Sequence, residues 1–150
     1  MALADIDGDG MPEVCLPTQS APLLCTHPDG TVVMVGEDPG ATYRNEWHAS
    51  YPTVGDMDGD GSAEIAIGRL IWDSTGRLIG TGTSSHGGYV LSNGTWFGAV
   101  SVMVDLDGDT ALELVAGNAA YDSSGGLIWE AAGADTVSYT HLRAHETVRN

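Results

Sequence analysis

The sequence predicts an all-β fold built from about three repeated units, each a small antiparallel sheet. Three observations carry that prediction. An acidic loop of one design occurs at 5–13, 56–64 and 105–113, with starts 51 and 49 residues apart. Short apolar and β-branched runs flank the loops, without the spacing an amphipathic helix needs. The 150 residues include 21 Gly and a single Phe, a composition of short strands and tight turns. The length alone would suit one ordinary domain, but a period near 50 makes it a repeat array of the propeller or solenoid kind.

The first unit opens with Asp5-Ile-Asp7-Gly-Asp9-Gly-Met11-Pro-Glu13. It is looser than the others: 25 residues separate Asp5 from its turn glycine Gly30, against 20 in the later units, and the extra length falls in 17–22. Cys15 and Cys25 flank that insertion. Their spacing allows a disulfide between neighbouring antiparallel strands, which would suit an oxidising compartment, or two buried thiols.

In the second unit, 51–55 leads as a strand into Asp56-Met-Asp58-Gly-Asp60-Gly-Ser62-Ala-Glu64, and 64–67 leads out. A strand at 70–72, an Asx-type turn at 73–76 with Gly at its left-handed position, and a strand at 77–80 complete it. The third unit repeats this plan. Its strand at 100–104 enters Asp105-Leu-Asp107-Gly-Asp109-Thr-Ala111-Leu-Glu113, followed by strands at 113–116, 119–121 and 127–129 and a turn at 122–125. Aligned without a gap, 47–81 and 96–130 are identical in 12 of 35 columns, from Trp47/Trp96 through the loop to Gly76/Gly125 and Ile79/Ile128. A lone metal motif would not bring a second turn along at a fixed offset. Three to four short antiparallel strands per unit describe a propeller blade. The predicted architecture is therefore a partial β-propeller of about three four-stranded blades over 1–136. Residues 137–150 break the pattern and read as a non-native tail.

The formal net charge is −16, from 21 acidic residues against five Arg and no Lys, and twelve of the acids lie in the three loops. With no basic patch to neutralise phosphates, a nucleic-acid partner is excluded. No apolar run approaches the roughly 18 residues of a membrane span. No signal peptide is visible before the first loop, and the chain reads as a fragment of a longer protein.

Each loop places carboxylates at its first, third, fifth and ninth positions: Asp5, Asp7, Asp9 and Glu13; Asp56, Asp58, Asp60 and Glu64; Asp105, Asp107, Asp109 and Glu113. Alternating oxygen donors around a central Gly can wrap one hard cation, with the backbone carbonyl of the seventh position (Met11, Ser62, Ala111) filling a further corner. The loops contain no Cys or His, which argues against zinc, and the oxygen count favours calcium over magnesium. Up to three calcium ions are expected. An EF-hand would need a Glu at the twelfth position, where this chain has Leu16, Ile67 and Ala116, and helical flanks. Thr110 replaces the sixth-position glycines Gly10 and Gly61. If that position requires positive φ, the third site should bind more weakly.

These loops resemble the FG-GAP or VCBS repeat, with Ile6 and Leu106 in its apolar second place and the three Glu residues in its last. The resemblance covers about 4–130. It implies a calcium-binding β-propeller like that of integrin α chains, with the ion clamping the blade loops. It further implies an extracellular or cell-surface protein serving adhesion, ligand binding or structure, whose partners are the remaining blades and an extracellular protein or carbohydrate. The rival reading is a fragment of a propeller-fold carbohydrate-active enzyme, such as a polysaccharide lyase. No catalytic constellation is assembled from the sequence, so an enzyme is not expected. Trp47, Trp96, Trp72 and Tyr121 recur in register and are expected to be packing residues. His48 and His86 do not align and are assigned no role.

Overall fold

Apolar segments too short for stable helices, bounded by turn glycines, pair into antiparallel meanders. The computed structural model describes residues 1–43, 50–83, 88–90, 96–98 and 100–131. Among these it has fourteen strands, one 3₁₀ turn at Ala41–Tyr43 and no α-helix. The first sheet runs β1 (Ala2–Ala4), β2 (Glu13–Leu16), β3 (Leu24–Thr26), β4 (Val32–Val35); the second runs β5 (Thr53–Gly55), β6 (Glu64–Ile67), β7 (Leu70–Trp72), β8 (Leu78–Gly80). A two-stranded hairpin follows, β9 (Gly88–Val90) with β10 (Trp96–Gly98). The third four-stranded sheet is β11 (Ser101–Val104), β12 (Glu113–Ala116), β13 (Ala119–Tyr121), β14 (Leu127–Glu130). In every four-stranded sheet, chain order is spatial order.

The three sheets share their connections as well as their order. The acidic loop always joins the first two strands, closing on the pairs Ala4↔Glu13, Gly55↔Glu64 and Val104↔Glu113. Two-residue links opened by Gly68 (φ +59°) and Gly117 (φ +63°) join the second and third strands. Positive φ at that first central position is the demand that places Gly there. In the first sheet 17–23 replaces this tight link, and Thr18 Oγ1 accepts the Ala21 N–H at 2.8 Å to close it. The last hairpin of each sheet carries Gly30, Gly76 or Gly125 at φ +80° to +89° and a register shift beside it, the geometry of a bulged hairpin.

Predicted and observed strands agree closely. The sequence places strands at 51–55 and 100–104, and the structure pairs only Thr53–Gly55 and Ser101–Val104. The earlier start at 51 fails at Pro52, which has no N–H to contribute. The hairpin of β9 and β10 has no counterpart in the sequence-based plan.

Strand alternation sends two stripes of each blade to opposite sides. Ile6, Cys15, Cys25 and Met34 of the first blade pack on Ile65, Ile67, Leu70 and Trp72 of the second. Met57, Ala66 and Ile71 on the other side of the second blade pack on Leu114, Ala116, Ala119 and Tyr121 of the third. Full burial of each large side chain here contributes about 1.5–3 kcal/mol. The first strands adjoin one another, β1 against β5 and β5 against β11, as blades around one axis require. The described residues thus form three consecutive blades and not a closed ring. Trp72 and Tyr121 are fully buried, as their register predicts. Trp47, His48, His86 and the tail 137–150 lie outside the described residues, and Trp96 is described only as part of β10.

Candidate metal centres

Each acidic loop is a nest of backbone N–H groups turned onto its own carboxylates. In the second loop Asp56 Oδ1 accepts from Gly59 N–H at 2.8 Å and Asp56 Oδ2 from Gly61 at 3.0 Å. Asp58 Oδ1 accepts from Asp60 at 3.2 Å, and Asp60 Oδ1 from Ser62 at 2.7 Å. The first loop repeats the set: Gly8 and Gly10 donate to Asp5, Asp9 to Asp7, and Met11 to Asp9. So does the third, where Gly108 and Thr110 donate to Asp105, Asp109 to Asp107, and Ala111 to Asp109. Seventh-position Met11, Ser62 and Ala111 thus have their N–H groups committed inside the loop.

The ninth-position Glu does something the spacing did not reveal. Its Oε2 accepts the N–H of the second loop residue, Glu13 from Ile6, Glu64 from Met57 and Glu113 from Leu106, each at 2.7 Å. All three Glu are buried. The residue is therefore a brace across the loop mouth, with its second oxygen left for other partners. Glu64 is pushed above the ordinary carboxylate range by desolvation; the Met57 N–H opposes this, while Asp58, Asp60 and Asp56 reinforce it. A carboxylate crowded by like charges is one that a cation would relieve.

The structure groups the donors unequally. Oxygens of Asp56, Asp58 and Glu64, and likewise of Asp105, Asp107 and Glu113, lie within 4.8 Å of one another. In the first loop the groupings are Asp5, Asp7 and Asp9, and a second one of Asp7, Glu13 and His27. Asp60 and Asp109 stand outside the triads of their loops. His27 was absent from the sequence-based site; its signal was the repeat register, since it fills the turn column of Asp73 and Asp122. Thr110 sits at φ +80°, the one non-glycine residue in the left-handed region among those described.

Successive loops also touch. Leu112 N–H, in the third loop, donates to the Met57 carbonyl of the second at 2.9 Å. At the last hairpin of the second blade, Glu37 N–H donates to the Gly76 carbonyl at 2.8 Å. The Glu37 carbonyl accepts Trp72 Nε1–H at 3.0 Å, and its Oε2 accepts Leu78 N–H at 3.1 Å.

A solved structure of the V. cholerae biofilm matrix protein Bap1 shares this fold, with a TM-score of 0.63 at 22% identity over 86% of this chain and 19% of that one. The chain spans about a fifth of that protein's length. No curated protein matches it. Residues 2–67, which hold the first sheet, the first two acidic loops and strands β5 and β6, match the FG-GAP-like repeat.

Proposed function

We propose that the chain is a calcium-stabilised segment of an extracellular β-propeller, in which up to three ions clamp the loops and the blades serve structure or ligand binding. The observation that carries this reading is the preorganised carboxylate nest, built three times on the same backbone hydrogen bonds. The second and third triads offer oxygen donors only, the set that suits a hard cation. The residues that would hold calcium are the first-, third- and ninth-position acids, with the fifth-position Asp9, Asp60 and Asp109 and the carbonyls of Met11, Ser62 and Ala111 completing the shell. The ion would neutralise acids that otherwise repel one another in a chain of formal charge −16.

The extracellular setting draws support from the Cys15–Cys25 disulfide and from the likeness to a biofilm matrix protein. The partners in this reading are further blades of the parent protein and an extracellular protein or carbohydrate. The role is non-catalytic; unsaturated products released from acidic polysaccharides by the purified chain would overturn that part.

Thermal melts in calcium and in chelator test the clamp. At free calcium a hundredfold above Kd each filled site stabilises by about 2.7 kcal/mol, and a domain of this size gains roughly 2–4 °C per kcal/mol, so the midpoint should rise by at least about 5 °C. An unchanged midpoint removes calcium from the reading.

A further inference from the structure

The last hairpin of the first blade uses a different turn residue from the other two. Asp73 caps its own turn: its Oδ1 accepts Thr75 N–H at 3.0 Å and Arg77 N–H at 3.1 Å, and Asp122 treats Ser124 and Gly126 alike. His27 occupies that column and makes the same backbone closure, with its N–H to the Thr31 carbonyl and its carbonyl accepting from Gly30. An imidazole cannot take both turn N–H groups, and Asp29 caps the turn instead, accepting Thr31 N–H at 2.9 Å. The His27 ring is thereby released to face the acidic loop. Its Nδ1 lies 3.2 Å from Glu13 Oε1 and its Nε2 3.8 Å from Asp7 Oδ2.

We propose that Asp7, Glu13 and His27 form a mixed nitrogen–oxygen site for a borderline divalent cation of the zinc class, distinct from the all-oxygen triads of the other two blades. The three donors lie within 4.8 Å of one another. Glu13 is fully buried, its Oε2 is held by Ile6, and its Oε1 points at the imidazole without making a hydrogen bond. A sealed carboxylate oxygen with no donor is costly unless a cation completes it. Two ligands of one tetrahedral zinc stand about 3.3 Å apart, given metal–ligand distances near 2.0–2.1 Å, close to the Glu13–His27 separation. An open cavity of about 330 Å³, lined by Asp9, Met11, His27, Pro28 and Asp29, adjoins the imidazole and leaves room for solvent in the fourth position. Imidazole nitrogen raises affinity for zinc, nickel and cobalt far more than for calcium. The inference rests on the reading of the first loop as a metal loop, and because Asp7 and Glu13 are shared, a zinc-class ion excludes calcium there.

The test is titration of the full chain with Zn²⁺ by calorimetry and with Co²⁺ by visible absorption, in the parent and in the His27→Asp and His27→Ala variants. His27→Asp installs the residue the other two blades use, so its turn is retained; circular dichroism confirms the fold. The parent should bind one equivalent of Zn²⁺ that both variants lose or bind at least about tenfold more weakly, with loss of the nitrogen-ligated Co²⁺ band. The four other histidines are common to all three proteins and cancel in the comparison. Equal zinc binding by parent and variants, or none by the parent, overturns the site. The calcium-dependent melt is run alongside on each protein. Loss of zinc with no calcium shift in any protein would sink the calcium reading and leave the His27 site standing. A calcium shift with zinc binding indifferent to His27 would do the reverse.

Discussion

Thr110 holds the backbone at φ +80° where Gly10 and Gly61 hold +88° and +90°, and its N–H still reaches Asp105 Oδ2 at 3.2 Å. A β-branched residue in that region costs on the order of 1–2 kcal/mol, while glycine adds roughly 0.5–1 kcal/mol of unfolded-state entropy. Thr110→Gly should therefore stabilise the chain by about 0.5–1 kcal/mol in chemical denaturation and tighten calcium binding at the third loop. Equal calcium affinities at all three loops in the parent would show that the backbone cost is not felt at the site. Glu64→Ala acts oppositely: it strands the buried Met57 N–H and should cost about 1–3 kcal/mol even in chelator. That chelator-independent loss separates the brace from the ligand.

The hairpins titrate in the direction their caps dictate. Burial alone would raise Asp73, but hydrogen bonds from Thr75 and Arg77 outweigh it and hold its carboxyl below the ordinary carboxylate range. Asp122 follows the same pattern, with Ser124 and Gly126 as donors. For an acid depressed in the folded state, the stabilisation is fully present above the unfolded value and is lost as pH falls through the lower folded one. Acid titration of the melting midpoint should thus flatten in Asp73→Asn and Asp122→Asn relative to the parent only below the unfolded carboxylate value, and above it the variants should differ from the parent by no more than the constant cost of the cap. These hairpins were legible in the sequence because Gly76 and Gly125 mark a left-handed position and β-formers flank it. The acidic loops were legible for the same local reason. His27 was harder to see, because its chemistry comes from a strand pairing that returns the turn to the loop. Glu37 was invisible, since its partners Trp72 and Leu78 lie 35 and 41 residues away. The β9 and β10 hairpin escaped too, for its strands are rich in neither alternation nor β-branched residues.

Blade-to-blade contact decides what an apolar residue is worth in the whole molecule. Ile6, Met57 and Leu106 fill one column, yet they are 5%, 1% and 46% exposed. The first two are covered by the following blade, and Leu106 lies on the last described one. Met57→Ala should cost about 2–4 kcal/mol, whereas Leu106→Ala should change stability by less than about 1 kcal/mol. Comparable losses in a denaturant series would mean that Leu106 is covered in solution. In the proposed parent propeller the Leu106 face is the one a further blade would cover.

The Cys15–Cys25 bridge joins directly opposed residues of β2 and β3, in the columns that Ala66 and Ile71 fill in the second blade. Both cysteines are wholly buried in the core shared with the second blade. A thiolate must reach a sulfur to exchange with it. The rate at which a small thiol reduces this bond therefore times the parting of the first two blades, and any ion that holds those blades together should slow that clock.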